Sequence, residues 1–240
     1  MKIDATNLHF KMLNQMIKES GETEIEVTNL LGQRYIGAGM EPGKTLTLHG
    51  TPGNALGAYL KDSAIVVRGN AQDAVGDTMD TGKIVIHGNS GDTAGYAMRG
   101  GEIYIEGNAG YRVGIHMKAY EEHFPVIVIG GKAGDFLGEY QAGGIIVVLG
   151  IGCEGTPVGR YCGTGMHGGQ IYIRSEEPPE NLPAQVACSA CSREELAQIE
   201  PYVAEFGTQF GHEAETLLRS KFYRLLPNSN NPYRQLYVHN

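Results

Sequence analysis

From Thr45 onward, short runs of alternating apolar residues recur along the chain at one fixed spacing. TLTLHGTPGNALGAYL begins at Thr45, AIVVRGNAQDAVGDTM at Ala64, KIVIHGNSGDTAGYAM at Lys83 and EIYIEGNAGYRVGIHM at Glu102, each 19 residues after the last. The phase slips by five residues to VIVIGGKAGDFLGEY at Val126, returns to 19 for IIVVLG at Ile145, and slips by six for QIYIRS at Gln170. Self-similarity at a fixed period is the mark of a solenoid, in which each repeat buries its apolar face only by stacking on its neighbours.

The apolar positions predict which side chains face inward. Leu46, Ile65, Ile84, Ile103, Ile127, Ile146 and Ile171 form one ladder, and Leu48, Val67, Ile86, Ile105, Ile129, Val148 and Ile173 form a second, two residues on. Strand side chains alternate faces with period two, so both ladders point into one bore. Leu60, Met79, Met98 and Met117 supply a third inward rung. A Gly follows each early strand (Gly50, Gly69, Gly88, Gly107, Gly131, Gly150), and a second comes later in the coil (Gly57, Gly76, Gly95, Gly114, Gly138). In-phase glycines read as corners that need φ > 0 or close backbone approach. The fold class is therefore all-β, a parallel β-helix of about 19 residues per coil, with short N-terminal and C-terminal helices. Between the inward ladders lie Thr47, Val66, Val85, Tyr104, Val128, Val147 and Tyr172. An outward stripe this apolar needs a cover, from the chain's own helices or from another subunit.

Residues 1–23 read as a helical cap. Thr6 is the expected N-cap of a helix over residues 6–20, Phe10, Leu13, Met16 and Ile17 share a face, and Gly21 stops it. Residues 24–175 are the β-helix, with EIEVTNLLGQRYIGAGMEPG from Glu24 as a divergent first coil. Extra residues between Tyr111 and Pro125, and again from Gly152 to Gly163, must loop out of the stack and are places for partners to bind. Residues 176–240 hold a proline-broken connector, EEPPENLP, then helices and a tail. Ser192 and Glu195 form a capping box, Pro201 kinks that helix or starts another before Gly207, and a further helix covers His212 to Lys221. The aromatic tail, YRLLPNSNNPYRQLYVHN, is expected to lie along the protein or a partner.

Composition narrows the function classes. Glycine numbers 35, about twice the usual share of roughly 7%. The net charge of −8 disfavours nucleic acid and anionic membrane as partners. No apolar run reaches membrane-spanning length, and MKIDATNLHFKMLNQ carries no apolar signal core, so a soluble, cytoplasmic protein is expected. Four cysteines in a chain of this length do not make a disulfide scaffold.

Candidate chemistry is sparse. There is no G-x-x-x-x-G-K-[ST], and the same glycines recur in every coil, so they do not read as a phosphate loop. Asn54, Asp73, Asp92 and Asp135 share one coil position. They can stack carboxylates for Ca²⁺, or accept backbone N–H bonds in their own turns, which is the favoured reading. Cys188-Ser-Ala-Cys191 is a C-x-x-C, and with Cys153 and Cys162 from the inserted loop it is the best candidate for zinc or iron. His49 and His87 share a coil position with Arg68 between them, and His116, His123 and His167 read as loop or surface residues. No nucleophile–base set emerges, so no catalytic and no organic-cofactor residues are assigned.

At GQRYIGAGM, GTPGNALGAYL, GNAQDAVGDTM, GGKAGDFLGEY and GTGMHGGQIYIR, the sequence resembles the glycine-repeat (GXGXG) domain of the glutamate synthase large subunit, in its stand-alone form. The match spans about residues 24–175, with a weaker one at FYRLLPNSNNPY. A more distant likeness is to the β-helix subunit of formylmethanofuran dehydrogenase. The resemblance implies a right-handed β-helix that scaffolds an enzyme without performing its chemistry. It implies partner subunits with an amidotransferase domain and an FMN domain, FMN and iron–sulfur centres residing in those partners, and a role in glutamate biosynthesis. It leaves a homo-oligomer open. The C-x-x-C is not part of the family pattern. An independent β-helix enzyme acting on polysaccharide would need a carboxylate and basic cluster in a groove. A hexapeptide-repeat acyltransferase would keep an 18-residue phase.

Overall fold

The recurring apolar runs become strands stacked one coil apart. A computed structural model describes residues 1–228 of the chain. In order, the elements are β1 (Lys2–Asp4), α1 (Phe10–Glu19), β2 (Glu24–Leu31), β3 (Thr45–Thr51), β4 (Ala64–Arg68), β5 (Lys83–Ile86), β6 (Glu102–Ile105), β7 (Val126–Ile129), β8 (Ala142–Val148) and β9 (Gly168–Arg174). There follow β10 (Val186–Ala190), α2 (Arg193–Ala197), α3 (Glu200–Phe210), α4 (Ala214–Leu218) and β11 (Phe222–Pro227). β1 to β9 pair in parallel and in sequence order, and β11 and then β10 extend the same sheet antiparallel.

The register matches the repeat. Thr45 pairs with Ala64, Ala64 with Lys83 and Lys83 with Glu102, each a step of 19 residues. Across the first insertion Glu102 pairs with Val126, so the extra residues leave the ladder unbroken. Both predicted ladders fill the bore: Leu46, Ile65, Ile84, Ile103, Ile127, Ile146 and Ile171 are all 0% exposed. Each such side chain removed from water favours the fold by about 1.5–3 kcal/mol. Leu60, Met79, Met98 and Met117 join the same cluster.

The second glycines are corners as predicted, and they belong to a longer device. Around Gly76 (φ +65), Ala74 and Thr78 also take positive φ (58 and 53). The same alternation runs from Tyr35–Gly37–Gly39 to Tyr161–Gly163–Gly165. It aims amides alternately up and down the stack: Ala74 N–H and Thr78 N–H donate to Asp92 O and Tyr96 O at 2.8 Å, while Gly76 N–H donates back to Leu56 O at 2.8 Å. We call this side of the spool the turn wall. The first glycines differ from the corner expectation. Gly50, Gly69 and Gly150 have positive φ, but Gly88, Gly107 and Gly131 do not, and there close approach is the constraint. A Cβ on Gly88 would sit 2.5 Å from Asn70 Oδ1.

The N-terminus departs from its reading. Residues 2–4 form a strand in register with β2, and Asp4 Oδ1 accepts from Thr6 N–H (2.9 Å) and Oγ1 (2.7 Å), so Thr6 is spent in a turn. The helix starts later, with His9 as N-cap. Leu13 and Ile17 of α1 enter the bore cluster, so the helix closes that end of the core. Lys44 Nζ anchors it through the carbonyls of Ile17 (3.2 Å) and Ser20 (2.7 Å).

At the other end, Ser192 and Glu195 make both bonds of the capping box. Pro201 sits in the first turn of α3, which runs past Gly207 and ends at Gly211 with φ 76. The first residues of the tail lie in β11, which pairs with β9 from Phe222 to Leu225, while the expectation for residues 229–240 falls outside the described residues. The two insertions sit at different corners. Residues 118–125 precede β7, where His123 Nδ1 lies 3.2 Å from Asp80 Oδ1. Residues 150–156 follow β8 and line a cleft of about 340 Å³ with Arg174 and Ser220.

Candidate functional site

The outward stripe has its cover, and the cover is the chain's own. Val85, Tyr104, Val128, Val147 and Tyr172 are buried beneath Ile199, Val203 and Phe206 of α2–α3 and Leu217 of α4. Gly130 makes room for this, since a Cβ there would lie 2.8 Å from the Phe206 ring. Lys83 Nζ bonds Glu205 Oε1 at 2.6 Å and pins α3 to the sheet, and that ammonium holds the Glu205 carboxyl below its usual range. Burial pushes the Tyr104 phenol far up, and its hydroxyl donates to Glu102 at 3.0 Å. Toward the N-terminus Thr47 and Val66 stay half-buried, with Val66 packed at the edge of that cluster.

The four cysteines are free thiols in different settings. Cys162 is buried in the bore and Cys188 packs against that cluster, whereas Cys191 packs on the helix-covered face. Cys153 lines the cleft of the second insertion. Burial pushes the Cys162 thiol up to about 12 and the Cys191 thiol up to about 11, which works against the thiolate a metal needs. Among the described residues, no three His, Cys, Asp or Glu side chains gather in a group that could hold a metal ion.

The aspartate ladder is real, and its bonds reach across coils rather than within one turn. Asp73 Oδ1 accepts from Asp92 N–H at 2.9 Å, Asp92 Oδ1 from Tyr111 N–H at 2.8 Å, and Asp135 Oδ1 from Arg160 N–H at 2.8 Å. The favoured sequence reading, in which each bond closes its own turn, is therefore corrected. A stacked coil presents its next amide closer to the carboxylate than its own turn does. Asn70, Asn89 and Asn108 form a second ladder of the same kind, onto Asn89, Asn108 and Lys132 N–H at 2.7–2.8 Å. Sequence reading missed it, although an Asn after the first Gly in three successive coils was the signal.

The histidines are scattered. His87 Nε2 lies 2.6 Å from Arg68 Nη1, with its ring edge-on to Phe210. Burial and the Arg68 charge lower its pKa, which keeps the ring neutral as an acceptor. His49 faces Glu26 at 3.3 Å, and His167 Nδ1 lies 3.2 Å from Gly165 O. His116 stacks on Tyr140 at 5.2 Å in the turn wall.

The turn wall also carries an exposed aromatic tract that sequence reading did not single out. Tyr35, Tyr59, Tyr96, Tyr111, Tyr140 and Tyr161 are exposed, several of them at the positive-φ positions flanking the second Gly. Arg112 lies 4.9 Å over the Phe136 ring, and Phe136 stacks on Tyr161 at 4.9 Å. Two of the arginines are also paired, Arg112 with Glu139 and Arg160 with Asp135, each at 2.9 Å.

These features define a parallel β-solenoid whose elaborated surfaces are a helix-covered sheet face and an aromatic turn wall. The chain belongs to the GXGXG motif family, which it matches over residues 11–229. It is 45% identical over a 249-residue alignment, covering 98% of this chain and 95% of the relative, to the uncharacterized protein MJ1350 of Methanocaldococcus jannaschii. GXGXG domains are associated with glutamate synthase-type complexes, so this is a glutamate synthase-like domain. No helix among the described residues is long and apolar enough to cross a membrane.

Proposed function

We propose that this chain is a scaffolding subunit of a glutamate synthase-like complex in glutamate biosynthesis. It braces amidotransferase and FMN-domain polypeptides and performs no chemistry of its own. FMN and iron–sulfur centres belong to those partners, and the chain works in the cytoplasm. The observation that carries this reading is the exposed turn wall. A rigid spool displays aromatic and arginine side chains, the residue types enriched at protein interfaces, on a side that α1 meets at its first coil and that is exposed from Tyr59 to Tyr161. Stacked coils fix the spacing of those side chains along the axis, which suits a part that sets the distance between two catalytic domains. Co-purification of the untagged complex from native extract tests the reading. Amidotransferase and FMN-domain polypeptides are expected in constant ratio with this chain. Recovery of the chain free of both, with those two assembled together, overturns it.

A further inference from the structure

We infer that the cleft beside the second insertion is a binding site for a free α-amino acid, with the ligand's carboxylate toward Arg174 and its ammonium toward Glu176 and Glu177. Such a site is independent of the scaffold reading and adds a small-molecule ligand to it. The cleft, of about 340 Å³, opens past the C-terminal ends of β8 and β9, between residues 150–156 and the turn that joins α4 to β11. That volume stands at the small end of the range for ligand pockets, about 300–1,000 Å³.

Arg174 supplies the cation. It is half-buried at the end of β9, and its Nη1 donates to Leu149 O at 2.9 Å. Nε is buried with no partner, and no carboxylate among the described residues pairs with the guanidinium. Arg112, Arg160, Arg219 and Arg224, by contrast, each hold one. A guanidinium drawn out of water without a counter-ion is costly, and an anion in the cleft offsets that cost. Nη2 has no partner among the described residues and, unlike Nε, is not buried, so the anion approaches there. Neutral donors surround it. The hydroxyls of Thr156, Ser175 and Ser220, and the amides of Gly152, Gly155 and Thr156, have no partner among the described residues. Nothing lies within 4 Å of a Cβ built on Gly152 or Gly155, so the loop leaves its backbone open. Free amides beside a guanidinium are the donor set that a carboxylate needs.

The rim selects among anions. Glu176 and Glu177 line the same cleft, and Lys221 Nζ donates to the Glu176 carbonyl at 2.8 Å rather than to either carboxylate. Two carboxylates beside one guanidinium repel a phosphate, whereas a ligand with one carboxylate and one ammonium meets both signs.

Titration of the full-length chain, followed by its amide resonances at constant pH and ionic strength, tests this. The probes are each proteinogenic L-α-amino acid in turn, then acetate, methylammonium and inorganic phosphate. At least one amino acid should saturate and shift the Gly152, Gly155 and Thr156 amides. It should bind at least about tenfold more tightly than acetate or methylammonium, each of which keeps one of the two charges. Arg174→Gln should weaken it by at least about tenfold. Ser220→Ala, which removes a donor but no charge, covers the case in which Arg174→Gln does not fold, and should weaken binding about two- to tenfold. Phosphate binding more tightly than every amino acid, shifts that never saturate, or a folded Arg174 or Ser220 variant with unchanged affinity overturns the inference. Each of those results leaves the scaffold reading standing.

Discussion

Gly76→Ala separates the two demands that the turn wall makes on its central glycine. The backbone there has φ +65, and an alanine in that conformation costs about 1–2 kcal/mol relative to glycine. The added Cβ would also lie 2.6 Å from Ile103 Cδ1, and Ile103 is 0% exposed in the bore, so overpacking adds about 1–3 kcal/mol. The single substitution should therefore cost about 2–5 kcal/mol. Gly39→Ala is the control, because φ is +56 there and nothing lies within 4 Å of the new methyl. It should cost only the conformational share, about 1–2 kcal/mol. Ile103→Val removes the clashing Cδ1 and by itself costs about 0.5–1.5 kcal/mol. Once it is gone, the nearest atoms to the new Cβ stand at 3.5 Å (Ile84 Cδ1) and 3.6 Å (Ile103 Cγ1), which are ordinary contacts. The double variant should thus cost about 1.5–3.5 kcal/mol, the conformational share plus the Ile103→Val loss, below the additive sum of about 2.5–6.5 kcal/mol. Urea unfolding by far-UV circular dichroism measures all four, using midpoints at matched slopes. Additive behaviour, or a Gly76→Ala cost no greater than that of Gly39→Ala, would refute the opposition of glycine and isoleucine across the bore.

Other consequences are open to measurement. Phe206→Ala should cost about 3–5 kcal/mol and raise binding of an apolar dye, because it uncovers Val128 and Tyr104; an unchanged unfolding midpoint would rule out the helical cover as a core. Asp92→Ala should cost about 0.5–1.5 kcal/mol and speed exchange of the Tyr111 amide, while Asp92→Asn keeps the acceptor and should be close to neutral; equal effects from both would remove the ladder bond from the account. The raised Cys162 pKa contributes stability that is complete below an ordinary thiol pKa near 9.0 and is lost as pH rises toward about 12. Cys162→Ala should therefore flatten the alkaline limb of a pH–stability profile, and an identical limb in both proteins would count against it. Elemental analysis of protein purified without oxygen should find zinc and iron well below one per chain; stoichiometric metal lost in Cys188→Ser would restore the cysteines as a site.

The spool was legible because its register is enforced by burial. Ile65, Ile84 and Ile103 can be aligned from the chain alone, since a one-residue slip would turn every one of them to the outside. The helical cover was legible in outline for the same reason: Tyr104 and Tyr172 are too large and apolar to face water in a row. The ends were not. β1 has three residues, too few for a period, and β10 and β11 pair antiparallel outside the repeat. The turn wall hid its geometry because residues such as Ala74 and Thr78 take a conformation their side chains disfavour, stabilised by bonds to neighbouring coils. The aspartate ladder was visible as a pattern, but its partners were not, since the distance between coils is tertiary information. Cys188 and Cys191 shared a motif in sequence, yet Cys188 packs beside Cys162 on the bore cluster while Cys191 packs on the helix-covered face.

The account's central claim concerns what the spool is for, and reconstitution tests it most directly. Glutamine-dependent glutamate formation should be measured with purified amidotransferase and FMN-domain polypeptides, with and without this chain, and with this chain alone. The account predicts no turnover from the chain alone, and coupled turnover from the others only when the chain is added. Turnover by the chain alone, or coupling that proceeds equally well without it, would contradict the claim that it braces an enzyme.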